Sequence, residues 1–360
     1  MNAVVPILAS PENQIRRVRT LVVDDSVVVR TVIERMLNGH GGFPVVHKTN
    51  SAEQALAFLR GQPVDLVLLD IELPGLSGLA ALPEILRANP GGKVVILSGN
   101  CEAGSAVAVE ALAVGASDIV SKPGSGSFGD QFSFQLIERL SRLFEAGSPP
   151  VSHVVPPTQP LPDKAAQAMT CLGIGASTGG IHALAQLFGG LAEPIGVPIL
   201  VTQHLPASFT VYFAQQLARM TSLRVKVAEH GDMLLPDTVY VAPGDANLGC
   251  RRGLQGRVSI ILDPERTPSG NLPGVDPMFA SMAKAFGAGA AAIVLTGMGR
   301  DGTAGARAIV AAGGWVVAQD EASSVVWGMP GSIAGAGLGC ALMPPALMMD
   351  YVAKRGRVTE

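Results

Sequence analysis

Short apolar runs alternate with stretches of helical periodicity along most of the chain. In the first half the runs are residues 20–23, 64–69, 94–97 and 119–120, and residues 28–37, 52–59 and 106–114 between them repeat their apolar positions every three to four residues. Apolar runs without polar alternation, separated by helices, suit parallel strands covered on both faces. Residues 134–144 place Leu136, Leu140 and Leu143 on one face, which predicts an amphipathic helix closing the first unit. The alternation restarts at Cys171 and continues through residues 199–201, 239–241, 293–295 and 315–318. The pattern predicts α/β architecture throughout, with two doubly wound parallel sheets.

Between the two sets lies GSPPVSHVVPPTQPLPDKAAQ, residues 147–167, in which six prolines and few large apolar side chains predict a stiff, extended linker. The expected division is 15–146, linker 147–167, and 168–355. A chain of 360 residues accommodates about two domains at roughly 150 residues each. With 48% hydrophobic and 15% charged residues it can bury a substantial core, and a net charge of −3 argues against bulk electrostatic tracking of nucleic acid. Cys101, Cys171, Cys250 and Cys340 lie far apart with no CxxC spacing, so neither a zinc knuckle nor a disulfide framework is expected, and reduced thiols in the cytoplasm are the simpler reading. No uncharged apolar run reaches spanning length, and the N-terminal segment carries its positive charges after its apolar stretch, the wrong order for a signal peptide. The expectation is therefore a cytoplasmic protein without membrane insertion.

In the first half, the polar residues that end successive apolar runs are Asp24-Asp25, Asp70, Ser98 and Lys122. At the carboxyl edge of a parallel sheet these groups converge where ligands bind. Three carboxylates there repel one another unless a cation sits between them, and hard oxygen ligands suit Mg²⁺. An Asp after a strand can instead simply cap the next helix, but that does not explain five polar groups ending successive strands. LVVDDS (21–26), DLVLLDIELPG (65–75), VVILSG (94–99) and SKP (121–123) resemble a response-regulator receiver domain over about 120 residues, with a flavodoxin-like fold. The resemblance implies phosphorylation of Asp70 by a histidine kinase. It also implies Mg²⁺ held by Asp24, Asp25, Asp70 and the backbone carbonyl of Glu72, and phosphoryl contacts from Ser98 and Lys122. Ile119 stands where receivers commonly carry an aromatic switch residue, a departure that bears on side-chain signalling rather than on phosphorylation.

The second half opens with CLGIGASTGGIHAL. Gly173 and Gly175 suggest a dinucleotide loop, but Thr178 occupies the place of the third glycine and no acidic residue ends the next strand. Residues 175–179 instead fit GxSxG, a strand–turn–helix that presents the Ser177 hydroxyl at the sheet edge, the plain alternative being a serine N-cap. A serine needs a base, and His204, after VPILVTQ, reaches the same edge; His182 and His230 are weaker candidates. Asp301, in AAIVLTGMGRDGTAG, can orient the imidazole, its alternative being the N-cap of a helix over 303–311. Glycines 297, 299 and 302 allow tight turning, and the Met298 N–H is a candidate oxyanion donor. The order Ser…His…Asp disfavours an α/β-hydrolase.

GASTGG (175–180), TQHLP (202–206), GDMLLPDTVYVAPGD (231–245), PGVDPMF (273–279), LTGMGRDG (295–302) and AQDEASSVVWGMP (318–330) resemble the catalytic domain of the chemotaxis protein-glutamate methylesterases, a Rossmann-like unit, over roughly 170–350. A receiver joined upstream through a proline-rich linker is that family's domain order. The resemblance implies catalysis by Ser177, His204 and Asp301, and hydrolysis of glutamate γ-methyl esters on cytoplasmic chemoreceptor helices. It further implies deamidation of receptor glutamines in some members, association with receptor arrays, no metal in the catalytic half, and an unphosphorylated receiver that covers the catalytic face. Asn247 replaces a histidine common in the family, which bears on the rim of the site.

The rival readings are a non-enzymatic signalling adaptor with a degenerate esterase-like domain, a nucleotide-dependent oxidoreductase, and a DNA-binding regulator. The effector half presents no basic recognition helix, and Arg16-Arg17-Val18-Arg19 reads as a solvated lead-in to the first strand. Trp315, Trp327 and the methionines read as packing residues, with 327–330 forming a loop near the site.

Overall fold

The computed structural model describes residues 17–99, 102–123, 129–145, 168–191, 193–267 and 270–356. The linker expected at 147–167, the expected domain start at residue 15, Arg16 and Cys101 lie outside the described residues.

The first unit runs β1 (Thr20–Val23), α1 (Val27–His40), β2 (Val45–Thr49), α2 (Ala52–Leu59), β3 (Leu66–Asp70), α3 (Gly78–Ala88), β4 (Lys93–Ser98), α4 (Glu102–Val114), β5 (Asp118–Ser121) and α5 (Asp130–Glu145). Its five strands are parallel in the order β2-β1-β3-β4-β5. Successive side chains of a strand point to opposite faces. Leu21, Val23, Val67, Leu69 and Ile96 accordingly pack with Leu56, Leu82, Ile85 and Val109 on one side. Val22, Leu66, Leu68, Val95 and Leu97 pack with Ile33, Leu37, Leu136, Leu140 and Leu143 on the other. The stripe predicted on residues 134–144 is thus the buried face of α5. Ser26, not Asp24 or Asp25, caps α1, its hydroxyl accepting from the Val29 N–H, so both carboxylates are left for other work.

The second unit runs β6 (Cys171–Ala176), α6 (Gly180–Gly189), β7 (Ile199–Gln203), α7 (Ala207–Met220), β8 (Arg224–Val227), β9 (Thr238–Val241), β10 (Asn247–Arg252), β11 (Val258–Asp263), α8 (Val275–Phe286), β12 (Ala290–Val294), α9 (Thr303–Ala311), β13 (Trp315–Gln319), α10 (Met329–Gly335), β14 (Gly339–Met343) and α11 (Pro345–Gly356). Seven parallel strands lie in the order β14-β13-β12-β6-β7-β9-β8. The direction of winding reverses between β6 and β12 here, and between β1 and β3 in the first unit. Doubly wound sheets open a crevice at the carboxyl ends of such strands. An antiparallel hairpin, β10–β11, packs on α8 and adds a small second sheet that the apolar pattern does not announce.

The two units meet through α4, which packs across α6 and α7. Val109 and Leu112 of α4 share one buried cluster with Ile181, Leu184 and Phe213. On the other side of the contact, Val326 is buried in the cluster built on α1 and α5, with Met298 and Val325 packed against it. Two polar ties accompany this apolar seam. His182 Nδ1 lies 2.9 Å from the Ala113 carbonyl, which can only accept, so Nδ1 carries the hydrogen and Nε2 accepts from Gln186 Nε2 at 3.0 Å. Lys93 Nζ donates to the Leu143 carbonyl at 2.6 Å and to the Val325 carbonyl at 3.0 Å, with the Phe144 ring 5.2 Å away.

Candidate active site and phosphoacceptor pocket

Ser177 follows β6 directly. Its N–H donates to the Thr296 carbonyl (3.1 Å), and its carbonyl accepts from the Gly180 N–H (2.7 Å) and from Gln203 Nε2 (2.9 Å). The chain then turns through Gly179, the N-cap of α6, at φ +76° with no side-chain cap bond. That left-handed conformation suits glycine, and the Val325 side chain packs where a Cβ would stand. Ser177 therefore does not cap α6, and its hydroxyl is left for the crevice.

His204 follows β7, its N–H bonded to the Ala176 carbonyl at 3.1 Å. Its ring spans the crevice: Nδ1 lies 3.1 Å from Ser177 Oγ and Nε2 lies 2.7 Å from Asp301 Oδ2. An ionised carboxylate can only accept, so Nε2 carries the hydrogen and Nδ1 presents its lone pair to the serine hydroxyl. The ring is turned end for end relative to the chymotrypsin arrangement, in which Nε2 faces the serine, yet either nitrogen can serve as the base.

Asp301 is 3% exposed. It does not cap its own helix, α9, whose N-cap is Gly302. Its carboxylate instead accepts from the Val275 N–H (2.8 Å) and the Asp276 N–H (3.0 Å) at the start of α8, from the Gly302 N–H (2.9 Å), and from Asn271 Nδ2 (3.4 Å). Burial alone would raise the Asp301 carboxyl, but the His204 hydrogen bond and the backbone N–H groups outweigh it and hold the acid below the usual carboxylate range. The support from α8 is invisible to periodicity; its signal is Gly274, an N-cap with no side chain of its own to satisfy the helix.

Met298 lines the same cleft as Ser177 and His204, a space of about 250 Å³ closed on its other side by Ser117, Asp118, Arg139 and Arg142 of the first unit. The Met298 N–H has no acceptor among the described residues. His182 faces Ala113 and His230 Nδ1 accepts from the Leu262 N–H, so neither histidine joins the site. Asn247 is buried; it accepts from the Gly274 N–H at 2.7 Å and donates to the Glu265 carbonyl at 2.5 Å, clasping the loop ahead of α8 rather than forming a rim. Trp315 is buried against Tyr351, and Trp327 Nε1 donates to the Gln319 carbonyl.

At the crevice of the first unit, carboxylate oxygens of Asp24, Asp25 and Asp70 lie within 4.8 Å of one another. Asp24 and Asp70 are buried while Asp25 is exposed. Lys122 Nζ reaches Asp70 Oδ2 at 2.7 Å and Asp24 Oδ2 at 3.1 Å. Burial pushes the Asp24 carboxyl up, Lys122 opposes that, and the Asp70 charge adds to it. Burial would depress the Lys122 ammonium, but the two carboxylates more than compensate and hold it up. A crowded all-oxygen set with one exposed face fits a hard divalent cation. Ser98 is buried at the end of β4, and the Glu72 N–H donates to Asp70 Oδ1 at 3.2 Å. Ile119 is buried in β5.

Fold and site together define a class: a response regulator whose output unit carries a serine–histidine–aspartate relay. The response regulator receiver domain family matches residues 20–127 and the CheB methylesterase family matches residues 172–352. The protein-glutamate methylesterase/protein-glutamine glutaminase 2 of Caulobacter vibrioides is 39% identical over 344 residues, covering 94% of this chain and 99% of its own. A counterpart from Paramagnetospirillum magneticum is 36% identical over 375 residues, covering 96% and 98%. Among solved structures, the CheB methylesterase catalytic domain of Thermotoga maritima shares 35% identity at a TM-score of 0.50, covering 52% of this chain and 98% of its own. The chain belongs to the CheB methylesterase family, with an N-terminal receiver domain.

Proposed function

We propose that this chain is a phosphorylation-regulated serine esterase that hydrolyses glutamate γ-methyl esters on chemoreceptor helices and deamidates receptor glutamines, acting in chemotaxis adaptation. The carrying observation is the continuous relay from Ser177 Oγ to His204 (3.1 Å) and from His204 to Asp301 (2.7 Å). Ser177 Oγ attacks the ester carbonyl while His204 Nδ1 takes its proton, and the Met298 N–H faces the developing oxyanion. His204 then protonates the departing methoxide, leaving a glutamyl ester on Ser177. Water attacks that ester with His204 again as base, and carboxylate and methanol are the products. With a glutamine substrate the leaving group is ammonia. Asp301 keeps the hydrogen on Nε2 throughout and stabilises the imidazolium. The test is methanol release from methylated receptor membranes, with and without acetyl phosphate. The non-enzymatic adaptor reading gains nothing from a site in which all three members are in contact.

Regulation rests on Asp70. A histidine kinase of a chemotaxis-type system supplies the phosphoryl group to an Asp70 oxygen, where Lys122 Nζ, 2.7 Å from Oδ2, and the Ser98 hydroxyl can meet its oxygens. Asp24, Asp25, Asp70 and the Glu72 carbonyl would hold Mg²⁺, whose charge neutralises the crowded oxygens during transfer. Ser98 and Lys122 sit at the carboxyl ends of β4 and β5, which lead into α4, packed across α6 and α7, and α5, whose Leu136, Leu140 and Leu143 share a buried cluster with Val326 of the catalytic unit. Phosphorylation adds about −1.5 to −2 charge and so biases the closed arrangement toward opening. Asp70→Asn is expected to keep basal methanol release and lose stimulation by acetyl phosphate; equal stimulation of variant and wild type contradicts this scheme. No helix among the described residues is long and apolar enough to cross a membrane, and we assign the protein to the cytoplasm beside receptor arrays.

The Lys93 tie makes a separate prediction. A charge-assisted hydrogen bond contributes about 1.5–3 kcal/mol. Lys93→Met keeps the apolar stem and loses the bond to Val325, so basal activity should rise about 10-fold while the phosphorylated rate stays near wild type. Unchanged basal and stimulated rates would show that the tie does not hold the closed state.

A further inference from the structure

Neither α8 nor α9 has a side-chain cap of its own: their N-caps are Gly274 and Gly302. Each is capped from the other. Asp301, just ahead of α9, accepts from the Val275 and Asp276 N–H groups of α8, at 2.8 and 3.0 Å. Asp276, in the first turn of α8, accepts from the Gly305 N–H of α9 at 2.7 Å. The helices approach closely at this point; a Cβ on Gly305 would stand 2.7 Å from the Asp276 carbonyl oxygen and 2.6 Å from the Phe279 Cβ. The two carboxyl groups therefore share one junction, compensated by the positive ends of two helix dipoles.

We propose that Asp276 is a positioning residue for the esterase reaction, reading through Asp301: its cap on α9 holds Asp301 in line with His204, and its charge adds to the field that favours the imidazolium. This rests on the esterase reading, since it assigns Asp276 a part in that relay. The titratable groups facing Asp276 are Asp301 across the helix contact and, through Asp301, His204; the polar groups facing it are the Gly302 and Gly305 N–H. The two acids depart in opposite directions. Burial, with the Asp301 charge adding to it and the Gly305 N–H opposing, pushes the Asp276 carboxyl up, whereas Asp301 is held down. Like charges in contact titrate as a pair.

Two substitutions separate positioning from plain packing. Asp276→Asn keeps an acceptor for Gly305 and removes the charge; Asp276→Ala removes both. The Asn variant should retain kcat within about 3-fold on the pH plateau, while the acidic limb of kcat/KM moves to lower pH by roughly half a unit, because losing a nearby negative charge disfavours the protonated ring. The Ala variant should lose about 10-fold in kcat with KM little changed, as a misaligned relay does. Phosphotransfer from acetyl phosphate to Asp70 reports folding of the other unit in both. An unmoved acidic limb in Asp276→Asn overturns the proposal, even where Asp276→Ala fails to fold. A wild-type kcat in Asp276→Ala overturns the alignment role. If wild type releases no methanol at all, the underlying esterase reading fails instead.

Discussion

Ser177→Ala abolishes methanol release from methylated receptor membranes, with a fall in kcat of at least about 10³-fold and on the order of 10⁶ if serine and histidine act as one unit. The Ser177 hydroxyl is bonded to His204 alone among the described residues, while the backbone of the turn is held by Thr296, Gly180 and Gln203. Removing one oxygen therefore leaves the turn, the β6–α6 junction and the phosphoacceptor pocket in place. The variant should melt within a few degrees of wild type and accept phosphate on Asp70 at the wild-type rate. Substantial methanol release by this variant would mean that a water activated by His204 attacks the ester directly, and nucleophilic catalysis would have to be abandoned.

Asp301→Asn should cost about 10⁴-fold in kcat, as expected when the partner of the imidazole can no longer fix its tautomer. Asp301 Oδ2 receives the His204 Nε2 hydrogen at 2.7 Å, which frees Nδ1 to act as base. An asparagine amide turned toward Nε2 donates instead, the hydrogen moves to Nδ1, and the ring then faces Ser177 with a donor. Turned the other way, the amide meets the Asp276 and Gly302 N–H groups, two donors now occupied by the Asp301 carboxylate. Either orientation leaves buried groups unsatisfied, so stability should fall by about 1–3 kcal/mol as well. Steady-state rates compared at a temperature where both proteins are folded separate the effects. A loss below 10-fold contradicts the assigned role of the acid.

Much of this arrangement is legible in the chain before any coordinates, for one physical reason: in a doubly wound parallel sheet, the residue after a strand belongs to the binding edge. Asp24, Asp70, Ser98 and Lys122 converge at one such edge, and Ser177, His204 and Asp301 converge at or near the other, each close behind an apolar run. What periodicity cannot convey is how those residues are held. The end-for-end turn of the His204 ring depends on where the α8 N-terminus places Asp301, and α8 begins at a glycine far along the chain from both. Asn247 stands out as a departure from the family pattern, yet its part in clasping Gly274 and Glu265 emerges only with the fold. Lys93 opens β4 like any solvated lysine in sequence, and only the packing of the units carries its ammonium to the Val325 carbonyl. The β10–β11 hairpin escapes the apolar pattern because its first strand, NLGCRR, carries polar residues and a glycine and pairs locally.

The most direct measurement is the site of covalent capture. Wild-type protein, opened with acetyl phosphate and Mg²⁺, is treated with a fluorophosphonate, digested and mapped by mass spectrometry, alongside His204→Ala and Ser177→Ala. A reactive alcohol paired with an imidazole at 3.1 Å predicts one adduct, on the peptide bearing Ser177, nearly lost in His204→Ala and absent from Ser177→Ala. An adduct on another residue, or labelling of Ser177 that is indifferent to the loss of His204, contradicts the relay.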